Sequence, residues 1–168
     1  MIFLYFLAGI LILYAVLFVY KTKTGSPSVM SRPEHVERFM KYVRSGIKVA
    51  DLGCGDGSIL IEAVKHGAAS GDGWEIEPLV WLDSRFKIHD LRMGDKVKTH
   101  FGDMWGADLS PYDLIYVYQL TRFAKRFREK IQRECRPGTI VVANTYPIPG
   151  LSNPRRDGEL WVYEIGYK

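Results

Sequence analysis

The stretch Asp51-Leu52-Gly53-Cys54-Gly55-Asp56-Gly57-Ser58 constrains the fold more than any other part of the chain. It joins a short apolar run, residues 47–52 (IKVADL), to a segment in which Ile59, Leu60, Ala63 and Val64 recur at helical spacing. A glycine-dense turn leading from strand to helix belongs at the mouth of an open α/β sheet, where ligands bind. Glycines let the backbone turn tightly and a ligand approach closely, and the N–H groups opening the helix favour an anionic group. The spacing is G-x-G-x-G with Ser58 next, which departs from the G-x-G-x-x-G dinucleotide pattern.

The flanking segments alternate between strand and helix. The spacing of Val36, Phe39, Met40 and Val43 predicts a helix over 32–45, with Ser31 and Glu34 placed as a capping box. After the helix at 57–66, which Gly67 can end, a second strand finishes at Trp74-Glu75-Ile76. Pro78 suits the first turn of a helix over 78–92. Strands are expected at 97–101, 112–118 and 139–146, a basic helix at 121–135, and a terminal strand at 159–167. The alternation predicts a parallel sheet with helices on both faces. The two cysteines, Cys54 and Cys135, have no metal-ligand spacing, and a disulfide scaffold is not indicated.

Residues 1–20 carry no charged side chain, and the run IFLYFLAGILILYAVLFVY would form a helix of about 28 Å. That length matches a hydrocarbon core of roughly 30 Å. A cleavable signal would place Lys or Arg ahead of the apolar run, whereas here KTKTG follows it. The expectation is a single-pass transmembrane anchor over 1–20, a linker over 21–30 and one domain over 31–168. Lys21 and Lys23 would hold that domain on the cytoplasmic or matrix-equivalent side, with Tyr20 at the interface.

Three acids fall at successive strand ends: Asp51, Glu75 and Asp103. Asp51 beside the turn would repel a pyrophosphate but suits a ligand carrying an ammonium group. S-adenosyl-L-methionine has an ammonium, a carboxylate for the helix N-terminus and no phosphate. Glu75 could accept both ribose hydroxyls and Asp103 the adenine amino group, with Met104 and Trp105 packing on the purine. Singly, each acid could be a solvated loop residue; together they form a set. The expected cofactor residues are Asp51, Gly53, Cys54, Gly55, Glu75, Ile76, Asp103 and Met104.

DLGCGDGS resembles motif I of the class I methyltransferases. Residues 27–168 are similar to one family in particular. Its members are the small lysine methyltransferases acting on the adenine nucleotide translocase and on the c-subunit of ATP synthase, with an archaeal protein lysine methyltransferase. WEIEP at 74–78 resembles the family's aromatic-Glu-x-Asn-Pro segment, with Glu77 where Asn is usual. GDMWGADLSPYDLIYVY at 102–118 and PGTIVVANTYPIP at 137–149 match two further stretches, with Tyr146 where Phe is usual. The family's aromatic-Val-Pro-Thr segment is replaced by Ser28-Val29-Met30-Ser31-Arg32. The resemblance implies a Rossmann-like class I methyltransferase sheet flanked by helices, S-adenosyl-L-methionine as cofactor, and a protein lysine as acceptor.

A lysine acceptor must lose a proton, at a cost of roughly 4–5 kcal/mol at neutral pH. A low-dielectric slot lowers that cost, and aromatic walls can hold the side chain. Tyr118, Gln119, Asn144 and Tyr146 lie at the expected ends of strands four and five and are the substrate-slot candidates; no general base is nominated. Strand four ends Tyr118-Gln119-Leu120 rather than in Asn/Asp-Pro-Pro-aromatic, which argues against DNA adenine and glutamine acceptors. The helix at 121–136 carries seven Lys or Arg, read as a solvated face that could also meet anionic headgroups; nucleic-acid binding is disfavoured. A membrane-borne quinone or lipid precursor is the alternative acceptor, and a non-catalytic cofactor-binding scaffold is the non-enzyme reading. No sequence feature encodes the oligomeric state.

Overall fold

The computed structural model describes residues 1–24 and 31–166. A helix, α1 (Ile2–Thr24), precedes the domain in sequence. The domain contains helices α2 (Pro33–Met40), α3 (Ser58–Lys65), α4 (Pro78–Asp90) and α5 (Ala124–Glu134). Its strands are β1 (Lys48–Leu52), β2 (Ser70–Glu75), β3 (Val97–Phe101), β4 (Leu114–Tyr118), β5 (Ile140–Asn144), β6 (Arg155–Asp157) and β7 (Leu160–Glu164).

The seven strands lie in the order β3-β2-β1-β4-β5-β7-β6. The first five in that order are mutually parallel. β7 and β6 run antiparallel, so the expected parallel sheet is corrected to a mixed one. No helix lies between β5 and β6, and without a crossover the chain can return only as an antiparallel strand. β6 was not expected. Asp157 pairs with Leu160 across Gly158-Glu159, a two-residue hairpin turn with Gly158 at φ 62°. Gly158 at the first loop position was its local signal.

Strand alternation divides the core in two. Val49, Leu114, Tyr116 and Val142 face α2, α3 and α4, joining Phe39, Leu60 and Ile88. Ala50, Leu52, Ile115, Val117, Val141 and Ala143 face α5, joining Phe127 and Ile131.

Several boundaries move for local reasons. The helix expected over 32–45 ends at Met40 and has Arg32 as its N-cap with no side-chain cap, so the Ser31–Glu34 capping box does not form. Ser31 Oγ is instead 2.7 Å from the hydroxyl of Tyr116. Strand five stops at Asn144, because Thr145 turns into the left-handed region at φ 64°. The basic helix opens as a 3-10 turn at Thr121–Phe123. Lys130 is not on a solvated face: it is 4% exposed, and its ammonium donates to the carbonyls of Trp105 and Ala107 and to Glu134.

The N-terminal helix forms and continues through residues 21–24, which shortens the expected linker to 25–30. Those six residues, including Ser28, Val29 and Met30, lie outside the described residues, as do the side chains of Tyr20, Lys21 and Lys23. Among the described residues no helix is long and apolar enough to cross a membrane. The transmembrane expectation is thereby reduced to an exposed apolar helix, with Phe3 at 76% and Phe6 at 66% exposure.

Gly73 is the more crowded of the two glycines in β2. A Cβ there would meet Cys54 Cβ at 2.5 Å, Cys54 Sγ at 2.6 Å and Leu60 Cδ1 at 2.8 Å. Gly73→Ala is expected to cost about 1–3 kcal/mol by overpacking, a fall of roughly 3–10 °C in Tm. Adding Cys54→Ala should restore part of it. Thermal melts of the single and double variants check this; a Gly73→Ala protein that melts like the parent would show the turn to be loosely held.

Candidate active site

β1 delivers Asp51 to the edge of the sheet, and the chain then turns through Gly53 (φ 94°) and Gly55 (φ 55°), conformations that a side chain strains. The turn hangs from β2. The N–H groups of Gly53 and Cys54 both donate to the carbonyl of Trp74 at 3.0 Å. Gly55 N–H donates to Glu75 Oε2 at 3.1 Å, and Glu77 N–H to Glu75 Oε1 at 2.8 Å. Gly53 itself is exposed, with open space where a Cβ would stand, so the outer face of the turn admits a ligand.

The carboxylates are crowded. Asp51 is 3% exposed and Glu75 is 5% exposed. Burial, then the charges of Glu75 and Asp56, push the Asp51 carboxyl up to about 8. Asp56 has the opposite fate. Burial acts to raise it, but hydrogen bonds from Lys87 and Ser58 prevail and hold it below the usual carboxylate range. Lys87 Nζ lies 2.6 Å from Asp56 Oδ2 and 2.6 Å from Ser58 Oγ, while Asp56 Oδ1 accepts from Ser58 N–H at 3.1 Å. Sequence reading missed this cluster. The Asp-x-Ser spacing hinted at the local Asp56–Ser58 contact, but nothing local placed Lys87 of α4 there.

The remaining expected cofactor residues fall at the same sheet edge. Ile76 follows Glu75, half-buried. Asp103 follows β3, half-buried, and its Oδ1 accepts from Trp105 N–H at 3.0 Å, starting a 3-10 turn at Met104–Gly106. Met104 is partly buried against the α5 side of the core. Trp105 is not placed to pack on a purine. Its ring lies 4.4 Å from that of Phe127, and the Arg126 guanidinium sits 4.0 Å over it. Cys54 contributes its N–H, not its thiol, which is buried and driven well above the usual thiol range, first by burial and then by Asp51 and Glu75.

The four substrate-slot candidates separate into two kinds. Tyr118 and Tyr146 are half-buried; Tyr118 packs on the core beside α3, and Tyr146 belongs to neither core cluster. Asn144, opposite Tyr118 in register, is fully buried, and its amide donates to the Tyr116 hydroxyl at 2.8 Å. Gln119 is 1% exposed, and neither its Nε2 nor its Oε1 has a hydrogen-bond partner. A buried amide left unpaired costs about 1–3 kcal/mol per group. Such a group at the mouth of a sheet is suited to a ligand. The edge as a whole offers a cation-seeking carboxyl at Asp51, hydrogen-bond acceptors at Glu75 and Asp103, and an orphaned amide at Gln119.

The raised pKa of Asp51 has a definite sign. Between about 4, the ordinary carboxylate value, and about 8, the folded chain holds a proton that the unfolded chain has released. Stability of the ligand-free protein therefore falls as pH rises through that window. Asp51→Asn should melt higher than the parent at pH 8, by about 5 °C or more, with the gap closing towards pH 5. Melts at both pH values check this, and a gap independent of pH would count against a buried Asp51 charge.

Residues 51–155 match the ANTKMT methyltransferase domain. The chain is 30% identical over 147 residues to the lysine N-methyltransferase of the ATP synthase c-subunit from Xenopus laevis, covering 83% of this chain and 64% of that protein. It is 29% identical to a protein-lysine N-methyltransferase of Saccharolobus islandicus, covering 80% of this chain and 91% of that one. It thus spans 57–65% of the length of the relatives named for ATP synthase. An RNA methyltransferase of Salinibacter ruber, solved with S-adenosyl-L-homocysteine, superposes with a TM-score of 0.76 at 27% identity over 83% of this chain and 95% of that chain. With the fold, the glycine turn and a family match over well more than half its length, the chain belongs to the ANTKMT methyltransferase domain family.

Proposed function

We propose that this chain is an S-adenosyl-L-methionine-dependent protein lysine methyltransferase working at a membrane. The observation that carries the cofactor is the buried Asp51, with no cation among the groups that set its pKa, beside an open glycine turn, with Glu75 and Asp103 at the next two strand ends. These residues suit the cofactor: Asp51 would receive its ammonium, Glu75 its ribose hydroxyls and Asp103 its adenine amino group, with Ile76 and Met104 beside the ring. When bound, the cofactor supplies a methyl group on a sulfonium, already activated towards a nucleophile.

What the chain must supply is position and a dry environment for the acceptor. Half-buried Tyr118 and Tyr146 offer ring surface for a long cationic side chain, and burial at that rim disfavours the ammonium form. Gln119 offers a donor and an acceptor to the incoming segment. The lysine assignment follows the named activities of the Xenopus and Saccharolobus relatives. RNA is the less favoured acceptor. The aromatic rings beside the basic helix already carry its own cations, Arg126 over Trp105 and Arg122 over Phe123, and Phe123 is buried.

The membrane location is supported by the uncharged run 1–20 and by the exposure of α1 side chains along both ends of its described stretch. Lys21 and Lys23 favour the cytoplasmic or matrix-equivalent side for the domain.

Incubation of the chain with methyl-labelled cofactor and a membrane extract tests the activity. Label recovered as ε-N-methyllysine in protein is expected. Label in solvent-extractable lipid would select the small-molecule acceptor, label in RNA the nucleic-acid one, and cofactor binding without transfer the scaffold. On the same assay, Tyr146→Phe should retain kcat/KM, while Tyr146→Ala and Gln119→Leu should each lower it by about tenfold or more, the loss expected from ~1.4 kcal/mol. Tyr146 lies outside the core clusters, so Tyr146→Ala should leave Tm nearly unchanged. Gln119→Leu should hold or raise Tm, since it removes two unpaired buried groups. Normal lysine kinetics in both folded variants would move the slot away from the ends of β4 and β5.

A further inference from the structure

Thr145 adopts a backbone conformation that disfavours its own side chain. Its φ of 64° lies in the left-handed region, which β-branched residues rarely enter. Two other non-glycine residues among those described share a positive φ, Arg92 and Asn153, and both are exposed. Thr145 instead follows β5 directly, half-buried at the ligand edge. The Tyr146 N–H donates back to the Asn144 carbonyl at 2.7 Å, which closes a γ-turn about Thr145. A strained turn persists only where its surroundings over-determine it. Here both peptide planes beside Thr145 are gripped from the antiparallel edge. Thr145 N–H donates to the Glu159 carbonyl at 3.0 Å, and the Trp161 indole N–H donates to the Thr145 carbonyl at 3.2 Å.

We infer that Trp161 is a positioning residue of the acceptor slot: its indole N–H holds Thr145 in the strained turn, and the turn sets the direction of Tyr146. The inference rests on the slot proposed at the ends of β4 and β5. Tyr146 has little backbone freedom of its own. Its N–H is used inside the turn, and Pro147 after it restricts it to extended conformations. The direction of its Cα–Cβ bond therefore follows the peptide plane between Thr145 and Tyr146, and Trp161 grips the carbonyl of that plane. A second side chain of β7 holds the far end of the same loop, where Ile148 N–H donates to the Tyr163 hydroxyl at 2.8 Å. Tyr146 thus lies between two points held from one strand. Trp161 is itself well fixed. It stands opposite Ala143 in register, its ring packs on the α5-side core, and the Arg156 guanidinium lies 5.2 Å over it. Glycine at 145 would adopt the same turn without strain, so threonine makes the turn depend on its clamp.

That dependence can be tested by rescue, in the full chain with methyl-labelled cofactor and a saturating amount of membrane extract. Trp161→Phe keeps an aromatic ring and deletes the N–H. It is expected to lower the rate of ε-N-methyllysine formation by about tenfold or more, since small misplacements of a substrate-positioning group are costly. Affinity for S-adenosyl-L-homocysteine should change little. Thr145→Gly by itself should keep the rate. Trp161→Phe combined with Thr145→Gly should recover most of the loss, because glycine holds the turn without a clamp. Thr145→Asn, the other residue type at home in this region, provides a second relief variant in the same background. Melting temperatures establish that each variant is folded. A loss in Trp161→Phe that neither relief variant recovers would make Trp161 a packing residue and overturn the inference. An unchanged rate in folded Trp161→Phe, with Tyr146→Ala impaired, would overturn it while leaving the slot standing. A normal rate in folded Tyr146→Ala would sink the slot itself, and the inference with it.

Discussion

Two backbone N–H groups, from Gly53 and Cys54, converge on the carbonyl oxygen of Trp74, and the geometry of the ligand edge depends on that contact. It fixes where the turn after β1 sits relative to β2. It is possible only because Gly73 has no side chain, leaving room for Cys54 beneath the turn. The next residue, Glu75, then uses both carboxylate oxygens on backbone donors, one in the turn at Gly55 and one at Glu77, where α4 starts. One carboxylate thus ties the glycine turn to the entry of α4. Each of its oxygens keeps a lone pair free for a further donor.

The hairpin β6–β7 has a consequence beyond closing the sheet. Arg38 Nη1 donates to Asp157 at 2.7 Å, Tyr42 donates to the same carboxylate at 3.1 Å, and His35 lies 3.0 Å from Glu159. α2 is held by the hairpin, and α2 continues directly from Ser31, which meets Tyr116. Tyr116 in turn accepts from Asn144. A chain of contacts therefore runs from the antiparallel edge, through the first helix of the domain, to the ends of β4 and β5. The two-residue turn at Gly158-Glu159 is thereby linked to the ends of β4 and β5.

What could be read from the sequence was whatever local pattern determines. β1 to β5, the glycine turn and the three acids at strand ends follow from hydrophobic period and turn chemistry, and β3 matches its expected bounds at Val97–Phe101. What could not be read depends on partners distant in the chain. Ser31 looked like a helix cap because Glu34 follows it, yet Tyr116, 85 residues away, takes its hydroxyl. Lys130 looked like one more cation on a solvated helix, yet the carbonyls of Trp105 and Ala107 and the carboxylate of Glu134 draw it into the protein. Trp105 looked free to meet a purine because it adjoins Asp103, but Phe127 and Arg126 take both its packing and its face. The antiparallel edge was missed for a different reason. Arg155-Arg156-Asp157 is short and polar and has no strand period; only Gly158 marked the turn that follows it.

The electrostatics of the edge explain why such an arrangement is kept at a cost to the ligand-free fold. Asp51, Glu75 and Asp56 influence one another strongly enough that each of the latter two raises Asp51. Lys87 answers Asp56 with a short ion pair, and the backbone donors of Gly55 and Glu77 answer Glu75. Asp51 has neither kind of help in the factors that set its pKa, all of which push it up. A neutral residue there would relieve the fold, and a buried carboxyl with no cation beside it suits a positively charged partner that arrives later. A cationic group entering beside Asp51 removes the repulsion and favours the ionised form, so ligand binding and proton release from Asp51 are coupled. The free energy withheld from the empty fold reappears as selectivity for a positively charged ligand, and a neutral or anionic one of the same shape gains nothing from that carboxylate.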